Sequence, residues 1–346
     1  MKLFFIGTIP IDKGDASADT MEAHIVQALS ELSIDCEYFP FLTRPWGDRL
    51  NRVFERMRTD MQWFRTTPAE WMLIKAAKTF QPDLILVLLG NYTTPETIRK
   101  VREVTGVPII CWCQDHLGSM GRQYIIGSKF DYVFSKDQSM VDMFRRYTSL
   151  KEVHYLPEAC NPKIHCRVTP TDKEIERFGC DITTAANVYY FRAEILESLS
   201  DFNLRVWGIV PKFNSGPVRR FSTSRPIFMR DKAACFNAAK IVINSLHPME
   251  SGGLNARAFE VAGCGGFQLI THSAAVERHF TPGKEIEMFR DLRELRKKVQ
   301  YYLVHDDERS AIAEAGRKRA HSEHTYTRRL EQILAVVSKS FPALRN

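Results

Sequence analysis

The chain has 346 residues, more than one small module needs and enough for two domains with separate cores. Its composition, 44% hydrophobic and 26% charged with 18 glycines and 16 prolines, excludes collagen-like, disordered and disulfide-scaffold classes. A net charge of +7 suits anionic ligands but is too diffuse to announce nucleic acid by itself.

Residues 2–7 are apolar but too short for a signal-peptide core, with Asp12, Lys13 and Asp15 close behind, so they read as a buried strand. No stretch approaches the roughly 20 apolar residues that span a bilayer, and a cytoplasmic protein is expected. Residues 16–32 set Met21, Ile25, Ala28, Leu29 and Leu32 on one helical face, and residues 36–41 form a second strand. Between 44 and 80 the rhythm breaks. Arg44, Arg49, Arg52, Arg56, Arg58 and Arg65 interleave with Trp46, Trp63, Phe64 and Trp71, which predicts two inserted helices. The second opens at Pro68 behind an N-capping Thr67.

Residues 84–89 lack polar alternation, the mark of a strand buried on both faces of a parallel sheet. Then follow a helix over 94–104, strands at 107–112 and 132–135, a helix over 138–147 and a strand at 153–156. Such alternation argues for a doubly wound α/β domain. The stretch 157–177, with Pro157, Pro162 and Pro170, reads as the interdomain linker.

The alternation restarts with a strand at 180–183, a helix over 190–199 and a strand at 204–207. A polar loop over 212–230 carries Arg219, Arg220, Arg225 and Arg230. Next come a strand at 241–244, a helix over 256–263, strands at 267–271 and 285–289, and helices over 291–305, 307–321 and 326–339. The eight cysteines form no CxxC unit and read as buried reduced thiols. There is no DxD motif, and Asp306-Asp307 reads as a helix cap.

The block from Ile241 to Ile270 is strand, glycine-bearing loop, short helix, glycine turn, strand. A glycine loop opening a helix presents free N–H groups at the positive end of the helix dipole, where a pyrophosphate can sit. Arg257 on the first turn offers a planar fork for phosphate, and Glu260, one turn on, can accept two ribose hydroxyls. The same residue types equally fit a surface helix on which Glu260 pairs with Arg257.

Residues 181–334 resemble the C-terminal half of the CgeB-like (spore maturation protein B-like) glycosyltransferases, a GT-B-type group within glycosyl transferases group 1. The likeness rests on Ile243-Asn244, Gly253-Leu-Asn255-Ala-Arg257-Ala-Phe259-Glu260, Gly265-Gly266 and Phe280-Thr-Pro-Gly283-Lys-Glu285. It continues through Leu292-Arg-Glu294-Leu295, Arg309…Ala313…Gly316-Arg317 and His324-Thr325-Tyr326-Thr-Arg328. The resemblance implies two Rossmann-like domains facing each other across a cleft. Residues 1–160 would bind the acceptor and carry the 44–80 insertion. Residues 161–325 would bind the nucleotide sugar, and 326–346 would return to the first domain. Glu260 would hold the ribose, while Arg257 and the loop residues Gly253, Leu254, Asn255 and Ala256 would meet the diphosphate. Retaining members of related families carry a second glutamate two turns before the ribose-binding one; here that place is Gly252.

Asp115 and His116 follow the strand at 107–112, at the carboxyl end where open α/β sheets place functional groups. Either could deprotonate an acceptor hydroxyl, and either could serve as a cap. Gly7 and Gly14-Asp15 suit a ligand near the backbone or a plain turn. Arg192 at a helix opening can balance a diphosphate or be a solvated helix end, and His247 can touch phosphate or sugar or be structural. Trp207-Gly208 marks a strand end near the base pocket.

The expected protein is a metal-independent hexosyl- or pentosyltransferase using a UDP-, GDP- or dTDP-sugar as substrate and no other cofactor. Its acceptor would be a hydroxyl of a protein, glycan or modified nucleobase. The arginines of 44–65 and 219–230 make an anionic polymer such as DNA a candidate acceptor, as in phage-type DNA modification. Asp48, Glu55 and Asp60 among them also fit solvated helix faces. A GT-B-like protein that binds nucleotide without transfer is the non-enzymatic alternative.

Overall fold

The computed structural model describes residues 1–11, 19–41, 67–88, 93–120, 123–210, 216–223, 225–250 and 252–345. The first helix expected in the insertion, with its arginines, and the Gly14-Asp15 turn lie outside them. The chain divides into two units, residues 1–157 together with 327–346, and residues 158–326.

In the first unit, β1 (Lys2–Gly7), α1 (Met21–Glu31), β2 (Asp35–Pro40), α2 (Pro68–Phe80), β3 (Leu84–Leu88) and α3 (Pro95–Thr105) come in order. They are followed by β4 (Ile109–Cys113), α4 (Tyr124–Gly127), β5 (Tyr132–Ser135), α5 (Gln138–Tyr147) and β6 (Glu152–Tyr155). The strands form a sheet in the order β2-β1-β3-β4-β5-β6, every pair parallel. The unbroken apolar runs explain the centre: every residue of β3 and β4 is buried. Phe4, Ile85, Ile109 and Val133 pack with Leu73 of α2, Val101 of α3 and Phe144 of α5 in one core.

One carboxylate ties two helix starts together. Thr67 and Glu70 form a capping box at α2, with Glu70 Oε2 accepting from the Thr67 N–H at 2.7 Å. The other oxygen of this buried Glu70 accepts from the Thr94 hydroxyl at 2.8 Å and from that of Thr97, at the opening of α3.

The second unit holds α6 (Asp172–Phe178), β7 (Cys180–Ala185), α7 (Tyr190–Glu197), β8 (Leu204–Trp207), α8 (Met229–Ala238) and β9 (Ala239–Asn244). Then come α9 (Ala256–Cys264), β10 (Gln268–Thr271), α10 (Ala274–Glu277), β11 (Glu287–Phe289), α11 (Leu292–Tyr302) and α12 (Asp306–Glu323). Its parallel sheet runs β11-β10-β9-β7-β8.

Three readings are corrected here. The stretch expected to be a linker contributes α6, set by a Thr171–Glu174 capping box, and counts with the second unit. The loop expected over 212–230 gives way at its end to α8, which opens without a side-chain cap. Asp306 and Asp307 occupy the first turn of α12 instead of capping it; there they complement the helix dipole.

The last helix, α13 (Tyr326–Val337), leads into a segment that belongs to the first unit. Arg329 Nε donates to the Pro157 carbonyl at 3.1 Å, and the Tyr132 hydroxyl donates to Ser340 Oγ at 2.7 Å. All eight cysteines have free sulfurs, and burial pushes the thiols of Cys113 and Cys235 up to about 12. Among the described residues no helix is long and apolar enough to cross a membrane.

Candidate functional site

In the second sheet the chain leaves β7 toward β8 and returns to the other flank as β9, so the strand order reverses between β7 and β9. At such a point the loops beyond the carboxyl ends part and leave a crevice. Two arginines occupy it. Arg257, on the first turn of α9, donates through Nε to the Ala185 carbonyl at the end of β7, at 2.9 Å. Its Nη1 donates to Asn244 Oδ1 at the end of β9, at 3.1 Å. Arg192, on α7, donates through Nε to Ser245 Oγ at 2.8 Å and through Nη2 to the Ser245 carbonyl at 3.1 Å. It also reaches the Asn187 carbonyl and the Tyr189 hydroxyl, and its guanidinium carbon stands 4.6 Å from the centre of the Tyr189 ring.

Arg192 is only 6% exposed, so its reading as a solvated helix end is overturned. Burial, and then the like charge of Arg257, pull the Arg192 guanidinium down to about 10. Burial lowers Arg257 as well, against the opposing pull of Glu260, Tyr189 and Glu250. Neither arginine makes an ion pair with a carboxylate among the described residues. An anion placed here would relieve both the desolvation and the mutual repulsion.

The loop and helix that follow β9 are built to hold this place. Asn255 is the N-cap of α9, its Oδ1 accepting from the Ala258 N–H at 3.1 Å. It exchanges two side-chain hydrogen bonds with Asn244, at 3.1 and 3.0 Å. The Asn255 side chain is thus spent on the architecture, and Leu254 is buried in the core. With Ala258 capped, the Ala256 and Arg257 amides at the dipole's positive end have no acceptor among the described residues.

Glu260 makes no ion pair with Arg257 among the described residues, so the expected surface pair is replaced by a different arrangement. Its Oε1 lies 3.3 Å from Lys232 Nζ of α8 and 3.7 Å from His165 Nε2. His165 Nδ1 accepts from the Asn161 N–H at 3.0 Å, which puts the ring proton on Nε2, facing the carboxylate.

His247 is exposed. Its Nδ1 accepts from the Met249 N–H at 3.2 Å, and its ring lies 5.1 Å from that of Tyr189. Gly252 and Gly253 lie in the loop between β9 and α9, and Gly253 is buried. Glu250, out of register in the chain, nonetheless opposes the lowering of Arg192 and Arg257 through its charge. Tyr189, Ser245 and Lys232 stand beside these residues and had no motif to mark them, whereas Asn244 was marked by the Ile243-Asn244 pair. Of the loop arginines, Arg230 is held by Glu174 at 3.1 Å, while Arg219, Arg220 and Arg225 are exposed.

Asp115 and His116 stand in the first unit, just beyond β4. Asp115 is exposed, and its carboxylate has no partner among the described residues. His116 caps a short turn through Nδ1, which accepts from the Gly118 N–H at 3.1 Å. At Gly7 a Cβ would lie 2.5 Å from the Tyr38 hydroxyl and 2.8 Å from Glu22 Cγ. Protein side chains fill the space beside Gly7, which leaves the plain turn of the two readings.

Gly208, after β8, adopts φ +146°, and a Cβ there would fall 2.1 Å from the Ala186 carbonyl oxygen. Gly208→Ala is expected to cost at least about 2 kcal/mol, read from the urea midpoint. A variant within about 0.5 kcal/mol of wild type would contradict this packing.

Residues 192–335 match the family described as glycosyl transferase-like. The spore protein CgeB of Bacillus subtilis (strain 168) is 20% identical over 283 residues, covering 74% of this chain and 85% of that protein. Among solved structures, sucrose-phosphate synthase from Thermosynechococcus elongatus is similar at TM-score 0.68, with 13% identity over 99% of each chain. Anabaena HepE in complex with UDP and glucose is similar at TM-score 0.67, with 12% identity, covering 98% of this chain and 100% of that one. The chain shares the GT-B fold of these structures, two Rossmann-like units, and the glycosyl transferase-like match lies over residues 192–335.

Proposed function

We propose that the chain transfers a sugar from a nucleoside diphosphate sugar, a UDP-sugar first among the candidates, to an acceptor hydroxyl. The observation that carries the reading is the Arg192–Arg257 pair at the switch point of the second sheet, two like charges partly stripped of water with no ion-paired carboxylate among the described residues. A diphosphate supplies the missing negative charge, and the Ala256 and Arg257 amides add donors. The complex of HepE with UDP and glucose supports the choice of base for the first experiment.

In this reading the second unit binds the donor and Glu260 accepts hydrogen bonds from the ribose hydroxyls. The first unit binds the acceptor, and Asp115 is its base in preference to His116, whose Nδ1 is already engaged. Asp115 takes the proton as the acceptor oxygen attacks the anomeric carbon. The bond from that carbon to the diphosphate breaks, and the electron pair leaves on the nucleoside diphosphate. The arginines and the α9 dipole stabilise that developing charge, so turnover should be insensitive to EDTA. Gly252, standing where related retaining enzymes have a glutamate, favours inversion.

The test is thermal unfolding with UDP, GDP, dTDP and CDP. A ligand at 100 times its Kd adds about 2.7 kcal/mol of stability, so one nucleotide should raise Tm saturably. If none of the four raises it, the donor site is refuted.

A further inference from the structure

The carboxyl edge of the first unit's sheet carries a different chemistry from that of the second. Gln114 directly follows β4 and is 4% exposed, yet neither its Oε1 nor its Nε2 has a hydrogen-bond partner among the described residues. Thr93, directly before the N-cap Thr94 of α3, is 2% exposed and its Oγ1 likewise has none among the described residues. Buried polar groups are costly to leave unsatisfied, and folded chains keep few of them. The contrast with the next residues is sharp: Thr94 and Thr97 both spend their hydroxyls on Glu70. Gln114 and exposed Asp115 follow β4, and Thr93 lies in the chain between its partner strand β3 and the N-cap of α3.

All three orphan functions are neutral. The Gln114 amide offers one acceptor and two donors about a single plane, which complements two adjacent hydroxyls, one donating to Oε1 and one accepting from Nε2. The Thr93 hydroxyl can do either. We propose that Gln114 and Thr93 bind the acceptor, and that the acceptor is a neutral polyhydroxylated molecule, a sugar or glycoside. This rests on the glycosyltransferase reading and adds the substrate class to it. A strand-end site for an anionic polymer would present free cations, and these two residues supply none.

The experiment uses the full chain and Gln114→Met, which keeps the side-chain length and removes both polar atoms. Thermal unfolding is followed with methyl α-D-glucopyranoside, methyl β-D-galactopyranoside, myo-inositol and single-stranded oligo-dT, each with and without UDP. The expected result is a saturable rise in Tm with at least one neutral probe. The Met variant should bind that probe at least tenfold more weakly, keep the UDP shift, and melt no lower than wild type when unliganded, because its unsatisfied groups are gone. Equal responses of variant and wild type, a shift with oligo-dT alone, or silent glycosides beside an intact UDP shift would each overturn the assignment. A missing UDP shift in wild type overturns the donor reading instead. If the Met variant does not fold, Thr93→Val carries the same comparison.

Discussion

Arg257→Ala is expected to weaken UDP binding by at least about 100-fold, the scale of losing a charge-assisted phosphate contact in a partly desolvated site. Calorimetric titration reads this directly. The same variant should lose about 1–3 kcal/mol of stability, since the Ala185 carbonyl and Asn244 Oδ1 lose the donor they share. Part of that loss is returned, because Arg192 no longer faces a like charge. Arg257→Lys separates the two roles. It keeps the charge but cannot reach two strand ends with one planar fork, so it should recover some affinity and little of the stability. UDP affinity unchanged in the alanine variant would remove Arg257 from the donor site and leave it a purely structural clamp.

Glu260→Gln is expected to lower UDP affinity by about 10–100-fold, comparable to weakening one or two hydrogen bonds to a charged acceptor. The sharper readout is a comparison of UDP with 2′-deoxy-UDP. Wild type should prefer the ribonucleotide, and the variant should lose most of that preference, because an amide accepts through only one of its two polar atoms. The substitution also removes the negative charge that faces Lys232 and His165. A general weakening with discrimination intact would mean that Glu260 organises these two cationic or polar neighbours and does not touch the ribose.

Much of the fold could be read directly because the apolar runs of β3 and β4 have a single stable home, the middle of a parallel sheet. The start of α2 was equally plain: Thr67, Pro68 and Glu70 are local signals whose geometry needs no tertiary context. The start of α8 had no such signal. Phe228 gives no side-chain cap and Met229 has φ +51°, so this helix is held by the burial of Ala233, Ala234 and Phe236 against the sheet. Lys232 was missed with it. Arg192 shows the complementary limit, since an arginine in a helix opening looks like a solvent-facing cation until Ser245, from a distant strand end, is found beside it. Glu260 was legible as a residue of interest, but its direction was set by α8 and His165, which lie far from it in the chain.

The division of the chain has a consequence for biosynthesis. The second unit is one uninterrupted stretch, 158–326, whereas the first is made of two pieces that the second unit separates in the chain. On the ribosome, residues 158–326 can complete their sheet while Tyr132 still awaits Ser340 and Pro157 still awaits Arg329. The domain begun first is therefore the one finished last, and its final closure is timed by the arrival of residues 327–345 and not by its own early strands.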